Sequence, residues 1–177
     1  MILILMDVNI VMIKLKQEGV TINISNDVIN GILKFRQIGN NIEAGGILIG
    51  SIYRDGSTID INDYTTPLEE DKRFRLWFNR SENHNDVLYD KWKKSNYTKL
   101  YLGEWHSHPQ KYPTPSNIDI ITWNKLLVKS KTESKFIVFV IVGLNALNVW
   151  VGDRNSNKIR RDISFEFLLN KAKTEQL

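Results

Sequence analysis

Two of the chain's three histidines stand within three residues of each other, in His106-Ser107-His108-Pro109, and a serine and an aspartate follow at Ser116 and Asp119. The spacing is H-x-H-x7-S-x2-D. A strand alternates its faces, so His106 and His108 would project from one side, close enough to share a cation. Two neutral imidazoles suit zinc. Asp119, from the first turn of a following helix, would add a third ligand and leave one tetrahedral position open, the arrangement of a catalytic rather than a structural zinc. The chain has no cysteine, so disulfide scaffolds and thiol nucleophiles are excluded and any zinc must use histidine and carboxylate.

Each piece has a plainer reading. Ser-x-x-Asp before Ile118, Ile120 and Ile121 is a helix-capping signature, with Ser116 accepting amide hydrogen bonds and Asp119 favoured by the helix dipole. An isolated H-x-H pair is more often solvated than metallated. The conjunction is what points to metal. Three of the four prolines, Pro109, Pro113 and Pro115, stiffen the crossing between the histidines and the cap, and proline lowers the entropy of ordering a loop. The cap and ligand roles are compatible. Glu104 shares strand parity with His106 and His108, which makes it a candidate base or a partner orienting an imidazole.

This composite motif resembles that of the JAB/MPN metalloproteases with the JAMM zinc site, in which a glutamate on a glycine-rich strand precedes the histidines. Glu43-Ala44-Gly45-Gly46-Ile47-Leu48-Ile49-Gly50 is similar to that upstream element, as E-x-x-G-x-L-x-G. The resemblance runs from about Thr21 to Asp153. It implies one Zn2+ per chain held by His106, His108 and Asp119, with Glu43 as general base and then general acid and Ser116 as hydrogen-bond donor to the oxyanion. Without it, Glu43 would read as a solvated carboxylate at a strand end. It also implies an α/β (α+β) fold, a cytidine-deaminase-like mixed sheet flanked by helices, as a single domain over residues 1–177.

The elements that must position these groups are readable in part. Val20–Ile24 alternates as a strand, and Ser25 or Asn26 can cap a helix burying Val28, Ile29, Ile32 and Leu33 and ending at Gly39. Residues 46–53 and 58–62 read as a hairpin around Asp55-Gly56. Ser81 would cap a helix to Lys94 with Val87, Leu88 and Trp92 inward. A third helix buries Ile120, Trp123 and Leu127, with Val128 at its margin. Residues 136–142 are a continuous apolar run, a buried central strand, with 147–151 as its neighbour across Gly143-Leu144-Asn145. Ile163, Phe165 and Phe167 alternate as a strand or a short helix.

At 177 residues and 42% hydrophobic content the chain suits one domain with a core. A net charge of +4 is too mild for a nucleic-acid binder, and Lys91-Trp92-Lys93-Lys94 reads as a solvated helical face rather than a phosphate-binding patch. His84 reads likewise as a solvated residue in a helix's first turn. The apolar stretch Met1–Asp7 has no basic leader and reads as a strand. No run approaches the roughly 20 apolar residues of a membrane span, so a soluble cytoplasmic protein without membrane partners is expected.

The resemblance implies cleavage of peptide or isopeptide bonds after the extended C-terminal tail of ubiquitin or a ubiquitin-like protein. Such a tail could pair with an exposed strand beside the zinc, and the segment from Lys72 to Arg80, with Arg73, Arg75 and Arg80, is a candidate wall for it or else a surface loop completing the core. The run Gly103–Pro109 with Phe78-Asn79-Arg80 and Trp123 looks like a bacterial branch found in anti-phage operons of the CBASS kind. That branch implies conjugates of a cGAS-like nucleotidyltransferase as substrate and an operon E1/E2-like transfer enzyme as a further partner. The alternatives are a peptidase processing a sulfur-carrier or ubiquitin-like precursor, a peptidoglycan-peptide hydrolase, and a non-catalytic MPN scaffold.

Overall fold

The computed structural model describes residues 12–166; the expected strand at Met1–Asp7, and Phe167, lie outside them. Strands β1 (Met12–Gln17) and β2 (Val20–Ser25) form a hairpin, turned by Glu18 and Gly19 at φ 47° and 84°. Two successive left-handed residues match the twist of the flanking strands, which is why glycine stands there. Helix α1 (Asn26–Leu33) follows, with the Ser25 hydroxyl accepting from the Val28 amide at 3.4 Å. It ends at Lys34 rather than at Gly39. Strands β3 (Gly45–Ile52) and β4 (Thr58–Tyr64) make the expected hairpin.

The charged and aromatic stretch that follows folds into a short two-stranded ribbon, β5 (Lys72–Arg73) with β6 (Phe78–Asn79). Helix α2 (Asn83–Lys94) comes next, then β7 (Leu100–Ser107), α3 (Asn117–Lys129), β8 (Phe136–Val142), β9 (Ala146–Asp153) and β10 (Lys158–Glu166). Among the described residues eight strands form one mixed sheet in the order β1-β2-β4-β3-β7-β8-β9-β10. Of these described strands only β2 with β4 and β7 with β8 pair in parallel. Lys91 pairs with Asp63 and Lys93 lies over the Tyr89 ring, so the basic stretch of α2 engages its neighbours on a largely solvated face.

Strand β8 is buried on both faces and organises the interior. Its Phe136, Val138, Val140 and Val142 join a cluster with α1, Leu102 and Trp105, while Ile137, Phe139 and Ile141 join Trp123, Leu127 and Trp150 on the opposite side. Period-2 alternation of apolar residues on both faces is what a central strand between two helical layers requires. Helix α3 buries Trp123 and Leu127 only. Val128 is 68% exposed because it lies about 100° round the helix from Leu127, and Ile120 is 39% exposed in the first turn, ahead of the point where Trp123 meets Phe139 and Trp150. On α2 the buried residue is His84; Val87, Leu88 and Trp92 are only partly covered. Among the described residues no helix is long and apolar enough to cross a membrane.

Candidate metal centre and active site

Strand β7 carries the histidines to the end of the sheet. Gly45 of β3 faces His106 in antiparallel register, and the His108 amide extends the parallel pairing by donating to the Val142 carbonyl at 2.9 Å. Between the histidines, Ser107 is fully buried: its hydroxyl accepts from the Ala44 amide at 3.0 Å and its own amide donates to the Ala44 carbonyl at 2.8 Å. This clamp brings Glu43, one residue earlier, beside the histidines. Ser107 carries no sequence signal beyond its place between two candidate ligands.

The geometry converges. His106 Nε2 and His108 Nε2 are 3.0 Å apart. Asp119 sets Oδ1 3.3 Å from His106 Nε2 and Oδ2 3.5 Å from His108 Nε2. Glu43 Oε1 stands 3.4 Å from His108 Nε2 on a side chain only 4% exposed. Its second oxygen, Oε2, is buried without a hydrogen-bond partner. Two bonds of roughly 2.0–2.1 Å to a tetrahedral zinc would hold the nitrogens about 3.3 Å apart, close to what is found here. A buried carboxylate with an orphaned oxygen and a second, partly buried one, both aimed at two imidazoles, make a donor set whose excess of acceptors fits a divalent cation. Glu43, His106 and His108 alone already form a group whose ligand atoms lie within 4.8 Å of one another.

Asp119 is placed by the helix start. The Ser116 hydroxyl accepts from the Asp119 amide at 3.2 Å while the Ser116 amide donates to Asp119 Oδ2 at 2.6 Å, a reciprocal capping box. The carboxylate thus caps α3 and reaches the histidines at once. The approach loop is strutted from β9, where the buried Asn148 donates to the Pro113 carbonyl at 2.7 Å. Behind His106, the Trp123 ring lies 6.3 Å away and stacks on Phe139.

Electrostatics follow from this crowding. Burial opposes a charged His108 ring, yet Glu43 and Asp119 outweigh it and raise its pKa. Burial likewise opposes the charge on Asp119, but His106 and the hydroxyl and amide of Ser116 hold its carboxyl well below the usual range.

Glu104 is engaged elsewhere. It shares the face of His106, but its Oε1 accepts from Arg80 Nε at 2.9 Å. Burial, and then the Glu104 charge, push the neighbouring Tyr101 hydroxyl well up. Arg73 Nε donates to the Glu43 carbonyl at 2.9 Å, and Arg75 reaches Gly39 and Asn40 from an exposed position. His84, expected in solvent, is fully buried between Thr65 and Asp71. Its burial is not legible in the sequence because α2 is otherwise polar and exposed, and an imidazole stays buried there by finding partners for both nitrogens.

A family model for prokaryotic homologs of the JAB domain matches residues 25–155. The chain belongs to that family. It is 40% identical over 111 residues to a Pseudomonas aeruginosa protein named CD-NTase/cGAS isopeptidase, covering 62% of this chain and 68% of that one. An Escherichia coli protein of the same name is 32% identical over 140 residues, covering 78% and 85% of the two chains. A Vibrio cholerae protein so named is 30% identical over 138 residues, covering 77% and 83%. A solution structure from Desulfitobacterium hafniense shares the fold at a TM-score of 0.52 and 15% identity, over 78% of this chain and 87% of that one. The chain is accordingly a JAB-type hydrolase with a mixed α/β fold, related to bacterial isopeptidases, and its Glu43, His106 and His108 form a group able to hold a metal.

Proposed function

We propose that this chain is a zinc-dependent isopeptidase that releases a cGAS-like nucleotidyltransferase, joined through its C-terminal tail, from the amines of its targets in bacterial anti-phage defence. The observation that carries the reading is the meeting of His106, His108 and Asp119 at one corner with a buried, half-unpartnered Glu43 beside them. His106, His108 and Asp119 would hold the ion, which supplies Lewis acidity and lowers the pKa of a water from about 15.7 towards 7. Glu43 takes the proton of the attacking water and delivers it to the leaving amine, so one carboxylate serves as base and then acid. The Ser116 hydroxyl, whose oxygen already accepts the Asp119 amide, keeps its own hydrogen to donate to the tetrahedral oxyanion. Water adds across the amide: the C–N bond breaks, leaving a carboxylate on the tail and a free amine on the target.

The substrate tail would lie along the ribbon of β5 and β6. Support comes from its contact with Glu43, whose amide donates to the Phe74 carbonyl at 2.8 Å, and from the exposure of Phe74 and Leu76 at 58% and 75%. Arg73 and Arg80 are committed to Glu43 and Glu104, which leaves Arg75, exposed and held only by long contacts to Gly39 and Asn40, as the guanidinium of that wall turned towards solvent. The partner names carried by the relatives favour a nucleotidyltransferase tail.

Incubating the purified zinc form with a nucleotidyltransferase tail linked to a lysine side chain, and weighing the products by mass spectrometry, tests the reading. Cleavage after the tail's last residue, stopped by a chelator and restored by zinc, is the expected result. Cleavage insensitive to chelation, or no cleavage of any tail-linked lysine by zinc-loaded protein, would overturn it.

A further inference from the structure

The side chains of His84 and Asp71 are both 0% exposed, which is unusual for two titratable groups distant from a catalytic corner. Each is fully engaged. His84 Nδ1 lies 2.5 Å from the Thr65 hydroxyl, and Nε2 lies 3.1 Å from Asp71 Oδ2. A carboxylate only accepts, so Nε2 donates to Asp71, while Nδ1 and the Thr65 hydroxyl share the second hydrogen bond. Thr65 is tied in turn to the sheet: its hydroxyl oxygen accepts from the Ile47 amide at 2.9 Å, and its carbonyl accepts from Trp105 Nε1 at 3.0 Å.

Asp71 closes a loop. Its two oxygens accept from the Leu68 amide and the Ser81 amide, both at 2.8 Å, as well as from His84. Both ends of the segment from Leu68 to Ser81 are therefore gathered on one buried carboxylate. That segment carries the ribbon. Glu43 precedes β3, so no strand holds its backbone; its amide donates to the Phe74 carbonyl at 2.8 Å and its carbonyl accepts from Arg73 Nε at 2.9 Å. The Phe78 ring fills the space above Gly45, where an added Cβ would come within 2.4 Å of it. The Ala44–Ser107 clamp fixes the residue after Glu43, and the loop fixes the peptide groups of Glu43 itself.

We propose that His84 is a positioning residue for Glu43: the buried chain Thr65–His84–Asp71 latches the loop from Leu68 to Ser81 against the sheet, and the latched loop pegs the backbone of the base. This rests on Glu43 being the general base of the isopeptidase reading. Buried polar networks favour a single arrangement when every member is satisfied and fail together when one is removed. Loosening the latch should leave the groups on β7 and α3 in place and release only the base.

The test compares His84→Leu, His84→Gln and Asp71→Asn with the wild type by amide hydrogen exchange in the zinc-loaded protein, zinc stoichiometry and kcat on the tail-linked lysine. His84→Leu should speed exchange at the Glu43, Phe74 and Ser81 amides by roughly 10- to 100-fold while β8 amides are unchanged. It should keep full zinc and lower kcat by a similar factor. His84→Gln, whose amide can still donate to Asp71, should recover most of both, and His84→Leu should add no further loss to Glu43→Gln. Should His84→Leu fail to fold, the Gln and Asn variants carry the comparison. Unchanged exchange at Glu43 and Phe74 would overturn the latch, and loosened amides with kcat within about twofold of wild type would overturn its role in catalysis. A wild type that loads zinc but cleaves no tail refutes the isopeptidase reading, while the exchange data still judge the latch.

Discussion

Glu43→Gln and Glu104→Gln should part company in activity and agree in metal content. Glu43 offers one oxygen 3.4 Å from His108 and keeps the other buried without a partner, so its carboxylate is free to take a proton. Glu104 spends its carboxylate on Arg80 at 2.9 Å. Glutamine preserves the shape of either side chain and removes its basicity. A positioned general acid–base group contributes about 10²–10⁴-fold, equivalent to roughly 2.7–5.5 kcal/mol of barrier. Glu43→Gln should therefore lower kcat on the tail-linked lysine by that factor with zinc still stoichiometric. Glu104→Gln breaks a partly covered ion pair and should cost about 1 kcal/mol of stability, with kcat within about threefold of wild type. Zinc content by elemental analysis and initial rates at saturating substrate check both. If Glu104→Gln abolishes turnover and Glu43→Gln does not, the assignment of the base is wrong; if Glu43→Gln sheds the zinc, Glu43 is a ligand rather than a base.

Further outcomes follow from the same geometry. Binding requires neutral imidazoles, and the pKa of His108 is raised in the metal-free site, so zinc affinity should fall about tenfold per pH unit below that pKa. The metal-free protein should behave oppositely: the raised pKa contributes stability that is complete below the unfolded value near 6.5 and is lost as pH rises through the folded value. Calorimetric titration with zinc and melting curves from pH 5 to 8 report the two effects. Ser116→Ala removes the cap of α3 and should lower stability by about 1 kcal/mol, with a loss in kcat larger than any rise in KM if its hydroxyl meets the oxyanion. Arg75→Glu should raise KM for a tailed substrate and leave kcat intact; an unchanged KM would remove Arg75 from the substrate wall.

The corner where His106, His108 and Asp119 meet was legible because it obeys local rules. Strand alternation puts the histidines on one side, and the capping box fixes Asp119 in the first turn of α3. Strand β8 was legible for the same kind of reason, an uninterrupted apolar run. What escaped depends on contacts distant in sequence. Parity alone made Glu104 a rival of Glu43, and its pairing with Arg80 depends on a loop folded back from 24 residues away. His84 looked like a surface residue on a polar helix because Thr65 and Asp71, which make its burial affordable, come from segments with no periodic signal. The ribbon of two-residue strands is too short to register as alternation, and the shortness of α1 reflects a chain that leaves the helix at Lys34 although no strong breaker stands there.

Zinc stoichiometry, measured on wild type, His106→Ala, His108→Ala and Asp119→Ala side by side with cleavage of the tail-linked lysine, bears most directly on the central claim. The account predicts one zinc per wild-type chain with cleavage, and loss of both metal and turnover in each variant. Full turnover by any variant that no longer binds zinc, or a wild type that binds none and still cleaves, would contradict it.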